Sequence, residues 1–397
     1  MDFKFTEQEE AFRHEIREFI TKELPSGWRG GLVEDEYSDE VWPFTQAIVR
    51  KLAARGWLTL AWPKEHGGQG RSTIEQLIYQ EETSYHGVPG TDMGVGGVSW
   101  VGPCLMLFGS EQQKREHLPR IAAGESFWCT GYSEPDAGSD LASVRCRAIA
   151  SGDDYIISGQ KVWTSAAHVA GWCWLAARTD PDASRHRGIS LLLVDMKSKG
   201  ITIRPLIDLI GVCAFNEVFF DEVRTPKTNL VGEENQGWSY IMAALNFERG
   251  WPGIRFAALA KRILEDLVVY AMETKHQGYS LAGESALRHK LAEMAIEIEA
   301  GRLIAYRAAW LQGKGLVSES EASMSKLFSS ELFQRVTDLG MQILGAYGQL
   351  SSDSKWAPLK GWILRTYLYS PSVTLVSGTS EIMRNIIAMR GLGLPRG

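Results

Sequence analysis

The sequence predicts an α+β protein in which a helical segment, a strand-rich segment and a second helical segment follow one another along 397 residues. Three observations carry this. Apolar residues recur at helical spacing up to about residue 125, they become short β-branched or aromatic runs between turn residues over 126–235, and helical spacing returns over 236–397. Strands are therefore grouped in the middle, without alternating βαβ units. No G-x-G-x-x-G follows a strand and opens a helix, which argues against a dinucleotide-binding fold.

In the first segment, 1–125, Thr6-Glu7-Gln8-Glu9 reads as an N-cap and first turn, and Phe12, Ile16, Phe19 and Ile20 then share one helix face. Turn clusters at Trp62-Pro63-Lys64-Glu65-His66-Gly67-Gly68 and Gly87-Val88-Pro89-Gly90 separate the later helices. In the second segment, 126–235, the strand runs are 155–158, 172–175, 189–194, 201–203 and 218–220. Turns are expected at Gly152-Asp153-Asp154 and Ser158-Gly159-Gln160, with an exit at Thr225-Pro226. In the third, 236–397, long helices break near Gln277-Gly278, Gly313-Lys314-Gly315 and Gly345-Ala346-Tyr347-Gly348.

Composition bounds the function. With 44% hydrophobic and 23% charged residues and no apolar run of membrane-spanning length, a soluble globular protein is expected. A net charge of -6 gives no basic field for nucleic acid or an anionic membrane. Cys104, Cys129, Cys146, Cys173 and Cys213 are odd in number and lack a C-x-x-C pair, so neither a disulfide framework nor a zinc site is indicated. The start, Met1-Asp2-Phe3-Lys4-Phe5, lacks the apolar core of a secretory signal, and a cytoplasmic location is the default expectation.

Two motifs and a tail carry a family resemblance. The stretch Cys129-Thr130-Gly131-Tyr132-Ser133-Glu134-Pro135-Asp136-Ala137-Gly138-Ser139-Asp140, then Gly159-Gln160-Lys161-Val162-Trp163-Thr164-Ser165, resembles the paired flavin-binding signatures of the acyl-CoA dehydrogenase family. The ending Ser377-Gly378-Thr379-Ser380-Glu381-Ile382-Met383-Arg384-Asn385 is similar to that family's tail. Taken alone, the first motif is an acidic turn and Trp163 a core aromatic. The resemblance implies an N-terminal helical domain, a β-barrel-like middle domain and a C-terminal four-helix bundle.

It also implies an FAD enzyme that removes two hydrogens across Cα–Cβ of an acyl-CoA thioester, passing electrons to an electron-transferring flavoprotein. FAD contacts are then expected from Thr130, Tyr132, Ser133, Gly138, Ser139, Trp163, Thr164, Ser165, Gln342, Thr379 and Glu381, and substrate contacts from Ser139, Arg249, Ser377 and Gly378. Physically, hydroxyls and loop N–H groups suit the polar edge of a flavin, and an indole can cover one face of it.

Such a reaction needs a carboxylate for the α-proton. Many relatives carry it just before Gly-Thr in the tail, where this chain has Ser377, a hydroxyl too weak for the task without an activating partner. Other relatives carry it on the first long helix of the C-terminal domain, and Asn246-Phe247-Glu248-Arg249 matches that position. Glu248 is the expected base; the plainer alternative is a solvated helix glutamate. Pro252 has no N–H for the carbonyl of Glu248, so the helix is expected to kink or open there. The backbone N–H of Ser377 remains able to polarise the thioester carbonyl.

The segment Glu273-Thr274-Lys275-His276-Gln277-Gly278, with Ser285, departs from the family's homotetramers, which carry an arginine and a glutamine for a neighbouring subunit's FAD pyrophosphate. Either another group in a homo-oligomer or a paralogous subunit in a two-plus-two heterotetramer would supply that grip. A flavin monooxygenase or oxidase on the same scaffold, and a non-catalytic partner subunit, are the competing readings. Chain length, branching and ring content of the acyl group stay open.

Overall fold

The computed structural model describes residues 4–28, 30, 36–91, 97–248, 252–276, 278–316 and 319–395. In chain order its helices and strands are α1 (Glu7–Glu23), α2 (Trp42–Ala54), α3 (Thr73–His86), α4 (Gly102–Phe108), α5 (Glu111–Ala122), β1 (Trp128–Gly131), β2 (Arg147–Ser151), β3 (Asp154–Ser165) and β4 (Trp172–Arg178). They continue with β5 (Ile189–Asp195), β6 (Ile201–Leu206), β7 (Phe215–Pro226), α6 (Gly237–Glu248), α7 (Pro252–Glu273), β8 (Lys275–His276), β9 (Tyr279–Ser280), α8 (Ser285–Gly313), α9 (Glu319–Leu344), α10 (Trp362–Val373) and α11 (Ser380–Ile386). The fold is helical, then sheet, then helical.

The chain packs as two compact units. Met1–Arg29, Ser72–Val88 and Arg249–Gly397 form one, and Gly30–Arg71 with Pro89–Glu248 the other.

In the first unit, α1 opens on the expected capping box: the Thr6 N–H donates to Glu9 at 2.7 Å and the Glu9 N–H to Thr6 Oγ1 at 3.2 Å. Phe12, Ile16, Phe19 and Ile20 are buried, as their spacing predicts, and α1 packs on α3. α3 in turn packs on α7 and α8, where Leu77, Ile254, Ala305 and Ala309 share an apolar cluster. α9 packs against α7, α8 and α10, so these four helices form the bundle.

In the second unit, seven strands form one sheet in the order β1-β4-β2-β3-β7-β6, with β5 joining at β4. β2 and β3 are a hairpin that turns at Gly152-Asp153, as expected. The expected turn at Ser158-Gly159-Gln160 is instead a bulge inside β3, where pairing with β7 slips between Ile157 and Gly159. Gly159 has φ +151°, and a Cβ there would lie 2.7 Å from the Cα of Cys146. The signal that reads as a turn is a glycine required by close backbone approach.

β4 and β5 are buried along nearly their whole length because both faces are covered. On one side lie Trp62, Leu105, Leu118, Trp128, Trp174 and Ile241; on the other, Ile157, Leu175, Leu192 and Val218. α6 packs against β5 and α4 in this unit. No helix among the described residues is long and apolar enough to cross a membrane.

Candidate active site

The two flavin-type motifs are far apart in sequence and are stitched together in the second unit. Lys161, fully buried, donates from Nζ to the Tyr132 carbonyl at 3.0 Å and to Glu134 Oε1 at 2.8 Å. The N–H of Val162 donates to the Ser133 carbonyl at 2.9 Å. β3 can reach across to the first motif because its pairing with β7 is broken between Lys161 and Thr164. Within that break Trp163 has φ +58°, a conformation that a bulky side chain adopts only when its surroundings impose it.

The consequence is a projected indole. Trp163 is 62% exposed, with one edge-on contact to Phe215 at 6.1 Å. Ser165 is exposed as well, whereas Thr164 is turned inward, and its hydroxyl is buried without a hydrogen-bond partner among the described residues. Trp163 and Ser165 are thus presented together and Thr164 is not. Asn216 holds the same bulge from below: its Nδ2 lies 3.1 Å from the Thr164 carbonyl and 3.2 Å from His168 Nδ1, and His168 Nε2 lies 3.1 Å from the Tyr37 carbonyl.

Glu134 was legible in the sequence only as part of an acidic turn. It is buried, and its carboxylate accepts from the backbone N–H of Arg145 at 2.7 Å and of Cys146 at 2.9 Å in addition to Lys161. The loop that follows, including Gly138 and Ser139, is exposed, and a Cβ on Gly138 would meet nothing. The hydroxyl of Thr130 accepts from Trp100 Nε1 at 3.0 Å, which leaves its own proton to donate. The Tyr132 hydroxyl accepts from Trp174 Nε1 at 2.8 Å. Neither indole was singled out by the motifs, since only the fold brings strand and loop together.

The tail residues lie in the first unit. Ser377 (φ +56°) and Gly378 (φ +96°) are consecutive left-handed residues, and Thr379 caps α11 through Oγ1, which accepts from the Ile382 N–H at 3.3 Å. Glu381 is exposed, and its carboxyl is held below the usual range by backbone N–H bonding and the Thr379 hydroxyl. It borders a cleft of about 360 Å³ with Glu331, Gln334, Arg335, Thr374 and Arg384. The Ser380 hydroxyl is buried and unpartnered among the described residues. Gln342, exposed on α9, exchanges hydrogen bonds with Lys290 at 3.1 Å and Asp338 at 2.7 Å.

Glu248 is the last residue of α6, and the next helix opens at Pro252. Arg249 and the side chain of Glu248 lie outside the described residues. Proline suits that first position of α7, where no intrahelical N–H is needed.

An exposed indole beside a serine hydroxyl, with loop hydroxyls and N–H groups stitched to it, fits a flat ring that has a polar edge, and a flavin is such a ring. The comparisons with known proteins agree with this. Models of the acyl-CoA dehydrogenase N-terminal, middle and C-terminal domains match residues 6–125, 129–223 and 235–392. The chain is 37% identical over 389 residues to the acyl-CoA dehydrogenase IpdE1 of Mycobacterium tuberculosis, covering 98% of each. It is 36% identical to FadE26 of the same organism, covering 100% of this chain and 99% of that one.

Among solved structures, the Tcur3481-Tcur3483 steroid ACAD superposes with a TM-score of 0.90 at 34% identity, covering 100% of both chains. The ChsE4-ChsE5 complex from Mycobacterium tuberculosis does so with a TM-score of 0.90 at 36% identity, again over 100% of both. With three domain models matched in order and relatives aligned end to end, the chain belongs to the acyl-CoA dehydrogenase family, oxidoreductases that act on a CH–CH bond.

Proposed function

We propose that this chain dehydrogenates the Cα–Cβ bond of a bulky, ring-bearing acyl-CoA thioester to the trans-2-enoyl-CoA, with FAD as cofactor and Glu248 as base. The observation that carries the reading is the stitched motif pair, in which Lys161 and Val162 fix the strand that projects Trp163 and Ser165. A steroid-type substrate is favoured by the similarity to the Tcur3481-Tcur3483 steroid ACAD. FAD, when bound, would accept the β-hydride.

The chain's own residues supply the remainder. Trp163 covers the ring, and the hydroxyls of Thr130, Ser133 and Ser165 bond its polar edge, with further FAD contacts from Tyr132, Gly138, Ser139, Gln342, Thr379 and Glu381. The Ser377 backbone N–H donates to the thioester carbonyl and so stabilises charge as the α-proton leaves. Glu248 takes that proton; burial by the acyl chain raises its pKa and brings it toward that of the polarised substrate. Ser377 itself has no such role, because its hydroxyl lacks the basicity. Electrons then leave for an electron-transferring flavoprotein.

The test is anaerobic titration of the FAD-loaded protein with octanoyl-CoA, isobutyryl-CoA and a steroid side-chain CoA thioester, followed by turnover with an artificial acceptor. Bleaching of the flavin by the steroid thioester is expected, with kcat at least about 100-fold lower in Glu248→Gln, consistent with loss of the general base. Full activity in that variant would remove Glu248 from the mechanism.

A further inference from the structure

Lys326 on α9 is 1% exposed, in a helix whose other buried positions are small or apolar. Its ammonium donates to the carbonyl of Gly378 at 2.7 Å. That carbonyl belongs to the tail loop, where the backbone is least ordinary: Ser377 at φ +56° is a non-glycine residue in the left-handed region, and Gly378 follows at φ +96°. At position 378 it is this φ that requires glycine, since a Cβ there would meet within 2.6 Å only the movable Met383 Cε.

Beyond the loop the chain is fixed on both sides. The Ser380 N–H donates to the Thr374 carbonyl at 3.0 Å, and the Val376 N–H to the Ser372 carbonyl at 3.0 Å. These bonds hold the loop's ends, while the bond from Lys326 holds its apex. A buried ammonium is costly to desolvate and persists only where hydrogen bonds or a partner charge compensate it.

We propose that Lys326 is a positioning residue for the reaction: its ammonium fixes the left-handed Ser377-Gly378 turn and thereby the direction of the Ser377 backbone N–H that polarises the thioester carbonyl. This rests on the dehydrogenase reading for its chemistry, but not for its structural half. A charge-assisted bond to Gly378 is stronger than a neutral one, so the loop keeps one conformation where a glycine pair of torsions would otherwise admit several.

The experiment compares the FAD-loaded wild type with Lys326→Met and Lys326→Gln. Hydrogen exchange of the peptide covering 374–382 is read without substrate, and kcat and KM with the steroid thioester. In Lys326→Met, exchange is expected to quicken about tenfold, and kcat to fall about 10- to 100-fold at matched flavin content with KM little changed, as when a transition-state donor is misdirected. Lys326→Gln, which keeps a neutral N–H donor on a side chain one bond shorter, should lie between, and it carries both readouts should the methionine variant not fold.

Unchanged exchange in the substituted proteins overturns the proposal. So does faster exchange with kcat intact, which would make Lys326 structural only. A wild type that oxidises none of the thioesters sinks the dehydrogenase reading instead, and the exchange result then still decides whether Lys326 holds the loop.

Discussion

Glu134 and Lys161 form a buried ion pair whose two members are not equally dependent on each other. The carboxylate has two backbone N–H donors besides the ammonium, whereas the ammonium relies on that carboxylate and one carbonyl. Removing the carboxylate leaves a buried ammonium with no counter-charge and only one carbonyl, and two amides without this acceptor; removing the ammonium leaves a carboxylate that is still bonded twice. Glu134→Leu is therefore expected to cost about 3–5 kcal/mol and to abolish flavin retention, and Lys161→Met about 1–3 kcal/mol with partial retention. Urea unfolding of the middle strands, followed with flavin release, distinguishes them; an equal or larger cost for Lys161→Met would mean that the carboxylate is not the hub. The sequence displays both residues inside recognisable motifs. It does not display their pairing, because that depends on the break in β3 that lets the strand lean onto the first loop.

The first helix shows the same division between local pattern and tertiary outcome. Its cap and buried face follow from Thr6, Glu9 and the 3-4 spacing of Phe12, Ile16, Phe19 and Ile20, which need only local rules. That it docks on α3, and α3 on α7 and α8, is set by partners remote in sequence. Arg13 binds Glu82 at 2.6 Å and Glu81 at 3.0 Å, Arg17 binds Glu82 at 2.8 Å, and Tyr306 and Arg302 on α8 close on Glu81. Burial alone would push the carboxyl of Glu81 up, but Arg302, the Tyr306 hydroxyl and Arg13 together bring it below its ordinary 4.5. A carboxyl depressed in the folded state adds stability above its unfolded pKa, and that stability is lost as pH falls through the folded value. Docking of α1 should therefore be constant from neutrality to about pH 5 and weaken below about 4.5, read as hydrogen exchange in 7–23. Arg302→Ala, which moves the folded-state pKa of Glu81 back up toward the unfolded one, should leave the onset near 4.5 and shrink the loss below it. A loss of undiminished size in that variant would remove Glu81 as the titrating group.

At the scale of the whole molecule, the order of helices, strands and helices was legible because period and turn residues change together near 126 and 236. How the chain is apportioned was not: α1 and α3 pack with the C-terminal bundle, and α6 packs under β5, since helical periodicity marks a face to be buried without naming what buries it. The same holds for assembly. The segment around Thr274 joins α7 to the short β8–β9 hairpin, with the Thr274 N–H on the Tyr270 carbonyl at 2.9 Å and the Leu281 N–H on its own carbonyl at 3.0 Å. Threonine offers no charge there, and a pyrophosphate needs cationic or N–H partners. A paralogous subunit that brings the cationic contact Thr274 lacks is one of the two arrangements the sequence leaves open, and it sets an expectation for the chain by itself. Expressed alone, the chain should purify with well under half of its flavin, and coexpression with a paralogue carrying arginine at that position should restore a full complement. Introducing the charge in cis, as Thr274→Arg, should raise flavin occupancy of the lone chain several-fold. The flavin-to-protein absorbance ratio, read beside the mass of the assembly, checks both; a lone chain that is fully loaded as a homo-oligomer would show that the pyrophosphate is gripped by other groups of this chain and that no paralogue is needed.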